Sequence, residues 1–275
     1  MEIKQPDSNN ELPPDLINVS QWEKRSKMFG SSPQGVLFKG LPDIFNEHIH
    51  NWQLNRILSE IVPKYKEINI LDIGCGYGRI SMPVLEMFPQ AKITGIDISK
   101  NYIDLFRKNT GQDAFVSSAE DISSSLGLFD YIICVTVLMY IDEDRLEKTI
   151  NNLLNTLKKN GRLLLIEPSR SGTYFQTCFG LVNFLRKIDK SVAINTGGNS
   201  FKYNSLRTII ENSGAKIVKE FRLPATTLFF LIIYVFTKLF SFKGRFLLNL
   251  ISKMDNLLKS TKLPSIYIFH VIEKQ

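Results

Sequence analysis

The chain is poor in the residues that build metal centres and disulfide frameworks. Its 275 residues include three cysteines, three histidines and two tryptophans. Cys75, Cys134 and Cys178 are odd in number and their spacing matches no zinc pattern, so a reduced, cytoplasmic setting is expected. No His/Cys/Asp/Glu cluster with ligand spacing and no Ser/His/Asp arrangement is evident, so neither a metal nor a nucleophilic triad is expected. The N-terminus shows no basic region followed by an apolar run, and a signal peptide is not expected. The uncharged apolar stretch Leu223 to Thr237 has 15 residues, short of the roughly 20 that span a bilayer. There is no internal repeat and no low-complexity tract.

What is present suits a sizeable α/β core: 44% of residues are hydrophobic and 22% charged. The net charge of +7 is unevenly spread. From Leu181 onward 15 Lys and Arg stand against 5 Asp and Glu, and the preceding two thirds are slightly acidic. A basic C-terminal third suits nucleic acid, anionic lipid or an acidic substrate, or is simply a solvated surface.

Periodicity reads as alternating strands and helices. Ile68 to Gly74 is a short apolar run ending in turn residues, as a buried parallel strand requires. A helix from Arg79 to Met87 follows, then a strand from Ala91 to Asp97. The next helix starts after the N-cap Ser99 and ends at Gly111. Asp113 to Ser118 and Phe129 to Val135 read as the third and fourth strands. Glu143 to Lys159 shows the clearest 3.6-residue period, in Leu146, Ile150, Leu153, Leu154 and Leu157. Asp142 would cap it, lysines occupy its last turn and Gly161 would end it. Gly161 to Pro168 is a fifth strand. Ser205 to Ser213, capped by Asn204 and closed by Gly214, is a helix before a sixth strand, Ala215 to Phe221. Ser265 to Glu273 is the last.

This series implies a doubly wound, mostly parallel seven-stranded α/β sheet with helical inserts forming a cap. Residues 1–16 read as a loose polar tail, 17–66 as an N-terminal helical cap, and 67–275 as the main domain with inserts 169–202 and 223–263. In the second insert, Leu247, Leu250, Ile251, Met254 and Leu258 share one helical face, with lysines mainly elsewhere.

The segment ILDIGCGYGRIS, Ile70 to Ser81, carries the chemistry. Gly74, Gly76 and Gly78 stand where a strand turns into a helix, so the backbone can bend and approach a ligand. A dinucleotide loop would need Gly or Ala at position 79 or 81, and Arg79 and Ser81 break that spacing. Asp72 would repel a pyrophosphate and attract an ammonium. Asp97, at the end of the second strand, is placed to accept hydrogen bonds from both hydroxyls of a ribose. An amino-acid nucleoside fits these acids; a nicotinamide dinucleotide does not.

The motifs resemble those of the class I S-adenosyl-L-methionine (SAM)-dependent methyltransferases, especially the branch with quinone and sterol methyltransferases. LDIGCGYGR is similar to the first motif of that family and ITGIDIS to the second. SSAEDI, Ser117 to Ile122, is similar to the third-strand motif, with Ser118 where an Asp is commoner. FDYIICVTVLMYI is similar to the fourth, with Tyr140 in place of a frequent histidine. The resemblance implies SAM as cofactor. It implies Asp72, Gly74, Cys75, Gly76 and Gly78 at the loop, and Asp97 and Ile98 at the ribose. Ser118, Ala119 and Glu120 would lie at the adenine, and Val135 beside the methionine portion. The expected activity is methyl transfer by in-line displacement to a hydrophobic or amphipathic small molecule, with the acceptor atom open. A polar sugar or amine acceptor, or an inactive membrane-associated partner protein, are the alternatives.

Candidate catalytic residues are His48 and His50 in the cap and Tyr140 and Glu167 at strand ends. His270, inside an apolar strand, reads as a core residue. The motifs of nucleic-acid amino and cytosine methylation are absent, so no nucleic-acid partner is expected. Both inserts, with the region from Trp22 to His50, would roof the site. The stretch 223–262 reads in three ways: as a lid over an apolar substrate, as a peripheral contact with a membrane surface, or as extra core or interface.

Overall fold

A computed structural model describes residues 14–38, 41–62, 67–169, 177, 180, 203–239 and 241–274. Seven strands form one sheet: β1 (Ile68–Ile73), β2 (Ala91–Asp97), β3 (Ala114–Val116), β4 (Phe129–Val135), β5 (Leu157–Pro168), β6 (Ala215–Arg222) and β7 (Tyr267–Lys274). Their order is β3-β2-β1-β4-β5-β7-β6. Strands β1 to β5 pair in parallel, and β7 lies antiparallel between β5 and β6.

Alternate strand residues serve opposite cores, because side chains on a strand project to opposite faces. Ile70, Ile133, Leu164 and Ile166 enter one core. Leu71, Ile73, Ile132, Cys134 and Leu163 enter the other. The first core is covered by α2 (Asp43–Glu60), α3 (Ser81–Met87) and α4 (Lys100–Thr110), and also takes in Phe230, Ile233, Leu248 and Ile251 from the second insert. The second is covered by α5 (Glu143–Asn155) and α6 (Tyr203–Asn212). This two-sided burial explains why β4 reads as an unbroken apolar run. α1 (Pro14–Phe29) precedes a short 3-10 turn at Pro33–Gly35 and lies on α4.

Local signals place most boundaries. Ser99 Oγ accepts from the backbone N–H of Tyr102 at 3.2 Å, and Gly111, at φ +68°, closes α4. The long periodic helix differs from expectation. It ends at Asn155, where Thr156 Oγ1 donates back to Leu153 O at 2.8 Å. Leu157 then opens β5 opposite Phe129, so sheet pairing takes the final apolar position of the helical pattern. Gly161 therefore lies within a strand: a Cβ there would stand 3.0 Å from the carbonyl oxygens of Lys158 and Phe129. Asp142 takes a guanidinium hydrogen bond from Arg145 at 2.7 Å, with no side-chain bond to the helix N-terminus. α6 starts at Tyr203, so Asn204 lies in its first turn rather than before it. The stretch from Thr173 to Ile188 lies outside the described residues, apart from 177 and 180.

The second insert folds as α7 (Pro224–Leu228), α8 (Phe230–Leu239) and α9 (Ser241–Leu258). α9 buries its expected apolar face only in part, through Leu247, Ile251 and Met254. Leu248, Ile251 and Asp255 face inward, while Leu250 is about half exposed. The cause is Asp255, whose carboxylate accepts from Ala225 N at 2.6 Å, Thr226 N at 3.2 Å and Thr226 Oγ1 at 2.6 Å, capping α7. Seating that acid turns the helix by about 70° from the leucine-centred face, at 100° per residue. Among the described residues no helix is long and apolar enough to cross a membrane.

Candidate active site

Strand β1 ends in a loop whose Gly74 and Gly76 take φ of +66° and +52°, a region closed to most side chains. The amides of Gly74 and Cys75 donate to Ile96 O at 2.7 and 3.0 Å, and Gly76 N donates to Asp97 Oδ2 at 3.0 Å. The loop is thus fastened to the end of β2. A Cβ on Gly74 would fall 2.4 Å from Val137 Cγ2. Gly74→Ala is therefore expected to cost about 2 kcal/mol or more of stability, from left-handed backbone and collision together. An unchanged thermal midpoint would contradict that close approach.

A pocket of about 350 Å³ opens at the strand ends. Asp72, Gly74, Cys75 and Gly76 line it from the loop, Asp97 and Ile98 from β2, and Ser118, Ala119 and Glu120 from the turn after β3. Val135 and Tyr140 complete the described wall on the β4 side. Gly78 is not among the lining residues. At φ +91°, it lets the backbone pass α4, where a Cβ would meet Thr110 Cγ2 at 2.8 Å.

Two carboxylates set the electrostatics. Burial pushes Asp97 up to about 6, against the amides of Ser99 and Gly76 that hold its charged form. Burial likewise raises Asp72 to about 7, opposed by Ser81 Oγ, which donates to Asp72 Oδ2 at 2.6 Å, and by the charge of Arg79. Among the described residues neither acid has a cationic side chain within 4.0 Å. Two acids lining one pocket without an ion-pair partner fit a ligand that brings positive charge and hydroxyl donors.

Arg79 is the residue that sequence reasoning used only negatively. It lines the pocket and is buried, donating Nη1 to His50 Nδ1 at 2.8 Å and Nη2 to Gln53 Oε1 at 2.9 Å. Burial and then the Arg79 charge hold His50 down at about 4, so it is a neutral acceptor at physiological pH. A lone Arg after the glycines was the available signal. Its partners 26 and 29 residues upstream were not readable.

The other catalytic candidates are dispersed. His48 lies outside the pocket lining and is held near 4 by burial, with Nε2 2.7 Å from Thr226 Oγ1. Glu167 Oε1 accepts from Val137 N at 3.0 Å and Leu138 N at 2.8 Å, tying β5 to the turn after β4. Burial lifts Glu167 to about 8, so it is mostly protonated at neutral pH. Tyr140 borders the pocket and meets Trp22 edge-on at 5.6 Å between ring centroids. Thr136, at φ +57°, is a β-branched residue in a strained conformation beside it.

The roof comes from α1, through Asn18, Val19 and Trp22, with Val36 beyond it. Arg25 stacks on Trp22 at 5.1 Å and donates to the carbonyls of Gln34 and Leu37 at 3.0 and 2.6 Å, fixing α1 over the loop. None of the described residues from 223 to 262 lines the pocket, although that insert was expected to roof it.

Residues 70–161 match the family described as "Methyltransferase domain". The malonyl-[acyl-carrier protein] O-methyltransferase of Halalkalibacterium halodurans is 30% identical over 141 residues, 47% of this chain and 51% of that protein. An uncharacterized protein of Rickettsia prowazekii is 33% identical over 34% of this chain and 41% of its own length. The chain spans about a quarter to a half of the length of such relatives. The magnesium protoporphyrin IX methyltransferase of Synechocystis with bound SAM has a TM-score of 0.59 at 13% identity, over 97% of this chain and 100% of that one. The Mycobacterium tuberculosis cyclopropane synthase gives 0.57 at 14%, with the same coverage. At such identities the structures establish the fold. Residues 70–161 thus carry a region similar to the methyltransferase-domain family, on a sheet whose fold those structures share.

Proposed function

We propose that the protein transfers a methyl group from SAM to a hydrophobic or amphipathic small molecule. One observation carries the reading. Buried Asp72 and half-buried Asp97, neither with a cationic side chain of the described residues within 4.0 Å, line one pocket with the ring pair Trp22 and Tyr140. SAM supplies an activated methyl on a sulfonium, and in-line displacement needs chiefly alignment and exclusion of water. Asp97 would accept from the ribose hydroxyls. Asp72 would take the ammonium and Arg79 the carboxylate of the methionine portion. Ser118, Ala119, Glu120 and Ile98 would surround the adenine, and Val135 the methionine chain. His50 serves to aim Arg79, and Tyr140 borders the acceptor.

Calorimetry with SAM tests the reading, and absence of heat at about 1 mM cofactor, near the upper end of enzyme affinities, would overturn it. The raised acids make a pH prediction with a definite sign. The cation and hydroxyls of the ligand favour the carboxylate forms, so binding releases protons below about pH 7. Affinity for S-adenosylhomocysteine is expected to rise about tenfold from pH 5.5 to 8, one unit of combined linkage. A flat profile would contradict the roles given to Asp72 and Asp97.

The acceptor is proposed to be apolar, reached at a cytoplasmic membrane surface against which residues 223–262 rest. Their packing against α2, with none of the described ones lining the pocket, supports a peripheral contact over a lid.

A further inference from the structure

The second insert leaves an apolar surface that no part of the described site uses. On α8, Phe230, Ile233 and Tyr234 face the core, while Ile232 and Val235, with Leu228 just before them, are each about half exposed. On α9, Leu248, Ile251 and Asp255 face inward, while Phe246, Leu250 and Leu257 stand out, Phe246 at 79% and Leu257 at 84% exposure. At 100° per residue, each outward stripe lies opposite the buried side of its own helix. The two helices pack on each other and both rest on α2, so the stripes share one outward surface.

The charge of this insert is predominantly positive. Residues 223–264 hold six Lys and Arg and one acid, Asp255. That acid is buried, spent on capping α7. Arg245, Lys253 and Lys262 are exposed at the margin. One exposed carboxylate from another element faces them: Glu47 of α2, 3.5 Å from Arg245. An apolar face bordered by cations, on helices not long and apolar enough to cross a bilayer, has the anatomy of a monotopic contact. A second copy of the chain fits worse, because two-fold pairing of this face would bring like charges together.

We infer that α8 and α9 dock the protein on an anionic lipid bilayer. Phe246, Leu250 and Leu257 enter the acyl boundary, with Ile232 and Val235 beside them, and Arg245, Lys253 and Lys262 meet acidic headgroups. The docking face is thus the side of α9 opposite Asp255, which takes in Leu250 from the predicted apolar face. It rests on the peripheral placement proposed above, and vesicle binding is read without methyl transfer, so the two readings can fail separately.

Flotation of the full chain tests it, using phosphatidylcholine vesicles with and without about one third phosphatidylglycerol. Binding at least about tenfold stronger to the anionic vesicles is expected, weakening with salt. The combined Phe246→Ser, Leu250→Ser and Leu257→Ser variant is expected to lose about tenfold or more, and so is Arg245→Glu with Lys253→Glu and Lys262→Glu. Titration with S-adenosylhomocysteine should be the same for both variants as for the parent chain, showing that the pocket is intact. Failure of the parent chain to float, or equal flotation by parent and variants, would overturn the inference. So would a parent dimer, seen by light scattering, that the serine variant disperses while neither form floats. That outcome would assign the face to a second copy.

Discussion

Replacing Asp97 by alanine is expected to weaken S-adenosylhomocysteine binding by about two to three orders of magnitude, with a much smaller effect on folding. Two hydrogen bonds from ribose hydroxyls to a buried carboxylate would be lost, each worth about 1.5–3 kcal/mol when charge-assisted. The amides of Gly76 and Ser99, which donate to Asp97 at 3.0 and 2.9 Å, would lose their acceptor, so the loop would also hold its shape less well. Asp97→Asn separates these effects. It keeps one oxygen acceptor and the side-chain volume but loses the charge, so a smaller loss, about tenfold to a hundredfold, is expected. Its affinity should also follow pH less steeply, because one of the two acids whose pKa burial raises would be gone. Calorimetry on the two variants decides the matter. A change below about threefold for alanine, less than 1 kcal/mol, would remove Asp97 from the cofactor site.

The second large effect concerns stability. Asp255→Ala is expected to cost about 3–4 kcal/mol, measured as a fall in denaturant midpoint at constant slope. The carboxylate is almost wholly buried and takes hydrogen bonds from Ala225 N, Thr226 N and Thr226 Oγ1. Its removal would leave buried donors unsatisfied and the start of α7 uncapped. Thr226 also joins His48, 178 positions upstream, so the attachment of the insert to α2 would loosen too. Asp255→Asn is expected to cost less, with a pH signature. Burial raises Asp255 to about 6 in the folded chain, in spite of the hydrogen bonds from Thr226 and Ala225. Its contribution is therefore fully present below about pH 4, its unfolded value, and is lost as pH rises through 6. The stability difference between wild type and Asp255→Asn should shrink from pH 5 to pH 7.5. A difference that grows over that range would show that the anion, not the acid, is favoured there.

Some of this was legible because it depends on neighbours in sequence. Ser99 and Gly111 bound α4 through bonds reaching three or four residues, and the glycine loop needs its backbone freedom wherever it is placed. The end of α5 was not legible. Leu157 continues the helical period but pairs with Phe129, and that choice depends on a strand 28 residues earlier. Arg79 was likewise read only as a break in a spacing rule, since the His50 and Gln53 that hold it lie on a separate helix.

The sequence alone determined the glycine loop, with Asp72 before it and Asp97 at the next strand end, and the alternating order of strands and helices, because each follows from local backbone chemistry and short-range periodicity. The tertiary structure decided what lies around that loop. It placed α1 as the roof, collected Arg79 from the glycine loop with His50 and Gln53 from α2, and packed the second insert on α2 with none of its described residues lining the pocket. It also turned α9 so that Leu248 and Asp255 point inward and Leu250 outward. Such outcomes rest on contacts between distant segments, where one buried carboxylate needing hydrogen-bond donors outweighs the pattern of several leucines.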